Sequence, residues 1–147
     1  MAAEVFFDTS GCFALMDERD PCHAKAVDWM RAGRGRIRPV MTEWIVGETC
    51  TLLVARKRPH LVARFLDYLD RSTALLLVNP DDALLRSAKA MIRQQADKGY
   101  SFVDCLSFCL MKERALREAL TTDEHFRKAG FVPLLVLNVN EGTEPLN

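Results

Sequence analysis

Short β-prone runs alternate along this chain with longer amphipathic segments, and that alternation restricts it to a sheet of parallel strands joined by helical crossovers. The run Glu4-Val5-Phe6-Phe7 ends in Asp-Thr-Ser-Gly, the pattern of a buried strand that delivers its carboxyl end to a polar turn. A helix is expected directly after it. Residues 22–33 place Ala26, Val27 and Met30 on one helical face and close on Gly33. The basic connector Arg34-Gly35-Arg36-Ile37-Arg38 leads into a second short strand, Ile37 to Val40. Thr42 is a good N-cap for a helix over about 43–57, closed by Arg56-Lys57-Arg58-Pro59 with cations where the dipole favours them.

A second helix, 60–71, carries Leu61, Phe65, Leu66 and Leu69 at helical spacing, and Leu75 to Val78 reads as a third strand stopped by Asn79-Pro80. Residues 81–97 form a long amphipathic pattern with Leu84, Leu85, Ala88, Met91 and Ile92 inward and Gly99 just beyond. A helix over 102–114 precedes a short strand, 119–122, that ends at Asp123. A brief helix closes at Gly130, and 133–137 reads as a last strand. Because a parallel crossover needs a connecting segment and favours one hand, the class is α/β, with a mainly parallel central sheet covered on both faces. At 147 residues and 49% hydrophobic content the chain suits one domain, 1–147, with a real core.

Twenty basic and twenty acidic residues cancel, so no global field draws the protein to nucleic acid or membrane. Any nucleic-acid contact must be local. The five cysteines, at 12, 22, 50, 105 and 109, show no paired CxxC spacing and read as reduced core residues. The start lacks a basic signal region, and no segment approaches the ~18 apolar residues of a membrane span. The expected location is cytoplasmic.

In an open parallel sheet the functional crevice lies beyond the carboxyl ends of the strands, which directs attention to acids at those ends. Asp8 and Asp123 both follow strands, and each is also explicable as a helix cap. Ser10 adds a hydroxyl able to orient a carboxylate or to cap a helix. Asp104, three residues after Ser101, resembles a capping box with Asp in place of Glu or Gln. Glu48 stands one turn after Trp44 and one before Leu52, on or beside an apolar face, where a carboxylate is costly unless paired, protonated or holding a cation. Glu43, in the first helical turn, is explained by the dipole.

Taken together, these carboxylates can form one pocket, and clustered carboxylates repel one another unless cations neutralise them. Hard oxygen ligands without a Cys or His partner favour Mg²⁺ or Mn²⁺ over zinc. Such a site suits hydrolysis of a phosphodiester.

Four segments, FFDTSG (6–11), VGETCTLL (46–53), SFVDCLSF (101–108) and LTTDEHF (120–126), resemble in kind and order the motifs of PIN-domain ribonucleases, most closely the VapC-type toxins of bacterial and archaeal toxin–antitoxin pairs. The resemblance covers nearly the whole chain. It implies a three-layer α/β/α sandwich and endonucleolytic cleavage of RNA. It also implies roles: Asp8 and Asp104 as principal metal ligands, Glu48 completing the cluster, and Asp123 holding a metal directly or through water. Ser10 and Thr122 would support the carboxylates. The implied partners are an RNA substrate, a cognate antitoxin protein and a second copy in a homodimer; the implied role is toxin, with a housekeeping RNA-processing nuclease or a non-catalytic RNA- or protein-binding module as alternatives.

Arg34, Arg36, Arg56 and Lys57 are candidate contacts to RNA phosphates, with solvated surface charge as the competing reading. His23, His60 and His125 lie at no ligand interval from a Cys or another His and read as structural or surface residues. An Asp-nucleophile phosphatase would need a second acid where Ser10 stands, and a phospho-receiver would need an acidic pair beside the first strand.

Overall fold

A computed structural model describes residues 1–137 of the chain. Five parallel strands form one sheet in the order β3-β2-β1-β4-β5. They are β1 (Ala3–Phe7), β2 (Ile37–Thr42), β3 (Leu76–Val78), β4 (Glu118–Leu120) and β5 (Val132–Pro133). The helices are α1 (Thr9–Met16), α2 (His23–Ala32), α3 (Glu43–Ala55), α4 (His60–Arg71), α5 (Asp82–Gln94), α6 (Phe102–Glu113) and α7 (His125–Lys128), with a 3₁₀ turn over Ala96–Lys98.

The strand order grows outward from β1 through β2 to β3 and then restarts on the other side of β1 with β4. Right-handed crossovers therefore send the two sets of helices to opposite faces. The packing agrees: α1 lies against α2 and α3, and α3 against α4, while α5 packs on α6. Phe126 of α7 meets Phe108 of α6 edge-on, with ring centroids 4.9 Å apart. Between the layers, Val5, Phe6, Phe7, Val40, Met41, Ala119 and Leu120 of the inner strands are buried. This is the expected α/β sandwich.

Three helix starts follow their capping chemistry. Thr42 accepts the Ile45 N–H with its side chain, Asp81 accepts the Leu84 N–H, and Ser101 accepts the Asp104 N–H. Three helix ends fall short of the expected boundaries. The helix over 43–57 stops at Ala55, because Lys57 adopts a left-handed φ of 59° and the Arg58 N–H returns to the Leu53 carbonyl. The pattern over 81–97 stops at Gln94 and tightens into the 3₁₀ turn, which ends at Gly99 with φ 72°. The helix over 102–114 stops at Glu113 by the same device, Ala115 at φ 55° and the Leu116 N–H on the Met111 carbonyl.

The final strand is shorter than the 133–137 expected. The regular strand is Val132–Pro133; the Leu134 and Leu135 N–H groups still donate to the Ala119 and Thr121 carbonyls, and the Val136 N–H then folds back onto the Pro133 carbonyl. Leu135 is buried, so that apolar run serves the core beyond the regular strand. In β4 the ladder ends at Leu120, which frees Thr121 and Thr122 for side-chain chemistry. The cysteines are free thiols, Cys12 and Cys105 buried and the other three half-buried. Among the described residues no helix is long and apolar enough to cross a membrane.

Candidate active site

The strand order reverses between β1 and β4, the point beyond whose carboxyl ends an open parallel sheet presents its functional crevice. Asp8 is the last residue tied into that junction: its N–H donates to the Leu120 carbonyl at 3.2 Å. It occupies the N-cap position of α1, yet its side chain does not cap the helix. The carboxylate instead accepts the Thr121 hydroxyl at 2.8 Å and the Ser10 hydroxyl at 3.2 Å, both on Oδ2. Capping therefore does not account for this acid.

Close approach of α1 to β4 makes these contacts possible, and Gly11 permits that approach. A Cβ at Gly11 would lie 1.9 Å from the Leu120 carbonyl oxygen, inside any allowed contact. Ser10 and Thr121 are themselves 3.0 Å apart, oxygen to oxygen. The Thr122 N–H donates to the Ser10 hydroxyl at 3.0 Å, and the Asp123 N–H to the Thr121 hydroxyl at 3.0 Å. Hydroxyl support for Asp8 thus comes from Ser10 and Thr121, with Thr122 entering through its backbone. Thr121 was not singled out from sequence, because its role depends on a partner 113 positions away.

Burial pushes the Asp8 carboxyl up to about 7, opposed by the Thr121 hydroxyl and reinforced by the nearby negative charge of Asp104. A carboxyl so placed is easily converted to its charged form by an added cation.

Asp104 closes a full capping box: its N–H donates to the Ser101 hydroxyl at 3.0 Å, and its Oδ2 accepts the Ser101 N–H at 3.1 Å. The structural explanation of Asp104 therefore holds, and it fixes the carboxylate in the crevice. His125 Nδ1 lies 3.3 Å from the same Asp104 oxygen and 3.5 Å from Asp123 Oδ1, while the His125 N–H donates to Asp123 Oδ1 at 2.9 Å. Asp104, Asp123 and His125 each offer an atom within 4.8 Å of the others. His125, which its spacing marks as a structural or surface residue, thus stands within the acidic group. The only local signal was its position two residues beyond Asp123, and its significance depends on Asp104, 21 residues earlier.

Glu48 does not face the core. The buried line of α3 is Ile45, Thr49 and Leu53, one step around the helix, and Glu48 is exposed. It is nonetheless directed, since its Oε1 accepts the Thr9 hydroxyl at 2.6 Å. Thr9 immediately follows Asp8, so this bond ties the Glu48 carboxylate to the start of α1.

These contacts leave a common pattern. Asp104, Asp123 and Glu48 each commit one oxygen to protein donors. Their second oxygens, Asp104 Oδ1, Asp123 Oδ2 and Glu48 Oε2, accept no hydrogen bond among the described residues. Hard, anionic oxygens left open, on the half-buried Asp104 and Asp123 and the exposed Glu48, fit a divalent cation of the Mg²⁺ or Mn²⁺ type.

The candidate basic contacts lie elsewhere. Arg34 and Arg36 precede β2 and so stand at the amino edge of the sheet, opposite the acids, with Arg36 donating to the Ala32 carbonyl. Arg56 and Lys57 follow the far end of α3, about 12 Å of helical rise from Glu48. The Arg56 guanidinium lies 5.7 Å from the centre of the Phe13 ring. The fold does not bring these four to the crevice.

Comparison with known proteins agrees with the geometry. The model of the PIN domain family matches residues 5–132. The chain is 32% identical over 129 residues to the 23S rRNA-specific endonuclease VapC20 of Mycobacterium tuberculosis, in both strain CDC 1551 / Oshkosh and strain ATCC 25618 / H37Rv, spanning 87% of this chain and 95% of that protein. The crystal structure of Mycobacterium tuberculosis VapC20, described as a sarcin-ricin loop cleaving toxin, superimposes with a TM-score of 0.78 at 27% identity, over 87% of this chain and 96% of that one.

Proposed function

The chain belongs to the PIN-domain family, and we propose that its acidic crevice is the centre of a divalent-metal-dependent endoribonuclease that serves as the toxin of a VapBC-type pair. The observation that carries this reading is that Asp104 and Asp123 come together beside His125, while Thr121 joins the Asp8 carboxylate, at 2.8 Å, to the Asp123 N–H.

Asp8 and Asp104 are the principal holders of the ion, Glu48 completes the negative set, and Asp123 acts directly or through a water. Mg²⁺ is the expected ion, with Mn²⁺ able to replace it. When bound, it supplies an activated water and neutralises charge on the scissile phosphate. Ser10 and Thr121 keep Asp8 oriented, and the Thr122 N–H keeps Ser10 in place. Asp8, pushed up to about 7 by burial, would ionise readily beside a bound cation. The open oxygens of Asp104 and Asp123, with Glu48 held beside the start of α1, would be the groups available to the ion.

A structured ribosomal RNA is the first substrate to test, because the VapC20 relatives are 23S rRNA-specific. The remaining parts of the reading are a cytoplasmic location, a homodimer and a cognate antitoxin covering the crevice.

Purified protein incubated with 23S rRNA fragments should cut them in Mg²⁺ or Mn²⁺ and stop in EDTA. Cleavage that persists in EDTA, or in a folded Asp104→Asn variant, sinks the metal-nuclease reading. Induced expression should arrest growth, and co-expression of the adjacent small gene should relieve it. Cleavage without arrest would favour a processing nuclease over a toxin.

A further inference from the structure

We propose that His125 is a positioning residue for the metal-holding carboxylates: its ring Nδ1 lies between Asp104 Oδ2 and Asp123 Oδ1 and leaves the second oxygen of each for a cation. This rests on the metal-nuclease reading above and assigns a part of that site to a residue outside the acidic set.

The bonding pattern carries the assignment. Asp104 Oδ2 already accepts the Ser101 N–H, and Asp123 Oδ1 already accepts the backbone N–H of His125. His125 Nδ1 addresses those same two oxygens, at 3.3 and 3.5 Å. The donors therefore gather on one side of each carboxylate, leaving Asp104 Oδ1 and Asp123 Oδ2 for the ion. With Nδ1 addressed to carboxylate oxygens, direct ligation would fall to Nε2, the case that the resonance measurement below tests. Donors behind a ligating carboxylate fix its orientation, and their loss typically costs about 10–100-fold in metal affinity.

The ring is held for this task from the core outward. Phe6 of β1 stacks on Phe126 of α7 at 6.3 Å, Phe126 meets Phe108 at 4.9 Å, and Phe108 meets Tyr100 at 5.0 Å. Tyr100 then meets the His125 ring edge-on at 5.2 Å. This aromatic chain joins the central strand to the imidazole and limits its tilt. His125 also links the start of α6 to the segment after β4, two elements that would otherwise hold their aspartates independently.

Two substitutions separate positioning from packing. Asn at 125 keeps an N–H donor near the Nδ1 position but loses the ring, whereas Phe keeps a ring against Tyr100 and loses the donor. Mn²⁺ affinity, measured by calorimetry and by electron paramagnetic resonance on the unmodified full chain and on His125→Phe and His125→Asn, should fall roughly 10-fold in the Phe variant. It should stay within about threefold of wild type in the Asn variant. Pulsed resonance on the Mn²⁺-loaded wild type should show no directly coordinated nitrogen. Equal Mn²⁺ affinity in the wild type and the Phe variant would overturn the proposal, as would a directly coordinated nitrogen that disappears with His125. Failure of the wild type to bind Mn²⁺ at all would instead remove the metal-nuclease reading on which the proposal stands.

Discussion

The hydroxyl of Thr121 donates a 2.8 Å hydrogen bond to the carboxylate of Asp8 across 113 positions of chain. The same hydroxyl accepts the Asp123 N–H, so one side chain at the end of β4 holds two of the acids. Thr121→Val keeps the shape and removes the donor. Because that donor favours the charged form of Asp8, its loss should raise the carboxyl further and move the acidic limb of the pH–rate profile upward, by on the order of one unit. Cleavage rates measured from pH 5 to 9 would decide it, and an unmoved limb would count against a role for Asp8 ionisation.

Stability without metal should fall as pH rises. Asp8 sits at about 7 in the folded chain against 3.8 for an ordinary aspartate. Between those values the unfolded chain is already ionised at this residue while the folded chain holds its proton. Stability is therefore full below about pH 4, declines through the window up to 7, and is flat above it. In EDTA at pH 8, Asp8→Asn should be more stable than wild type, by on the order of 1–3 kcal/mol. Added Mn²⁺ should raise the melting temperature of the wild type and leave the variant nearly unchanged. Thermal melts at pH 5 and 8, with and without metal, supply the test.

Gly11 separates fold from chemistry least cleanly. Its substitution by Ala would place a methyl 1.9 Å from the Leu120 carbonyl oxygen, a backbone atom that cannot swing aside. Gly11→Ala should cost about 1–3 kcal/mol or more and push α1 off β4, weakening the Asp8–Thr121 bond as well. Denaturant melts should register the loss, and residual activity should fall further than the folded fraction alone explains.

Far from the acids, Arg58 and Asp17 form an ion pair at 3.4 Å, with side-chain exposures of only 10% and 5%. The pair ties the end of α1 to the turn between α3 and α4, and the Arg58 Nε has no hydrogen-bond partner among the described residues. Asp17→Ala would strand a buried guanidinium and should cost about 3–5 kcal/mol. Replacing both residues together, as Asp17→Leu with Arg58→Met, should cost clearly less. A double-mutant cycle by urea denaturation measures the difference, and additive losses would show that the pair is not coupled.

Much of this was legible from local chemistry. The strand–helix alternation gave the parallel α/β class, and Thr42, Asp81 and Ser101 cap where their side-chain chemistry says they should. The residues that cap by sequence rule also include Asp104, which is why its metal-site reading could not be separated from a capping box by spacing alone. At two of the three helices that stop early, the cause is a backbone turn into the left-handed region at Lys57 and Ala115, residue types that carry no such signal.

The amino-acid sequence by itself determined the element order, the acids placed at strand and helix ends, and the family likeness, because these depend on periodicity, capping and short motifs read along the chain. Only the tertiary structure decided which of those residues meet. Thr121 rather than the Thr122 side chain supports Asp8, Glu48 is exposed yet held by Thr9, His125 joins Asp104 to Asp123, and Arg34 and Arg36 stand at the opposite edge of the sheet. The reason is physical: each of these facts rests on the strand order and on the angle at which a helix crosses the sheet. Both are set by burying one common core, and neither is encoded at any single position.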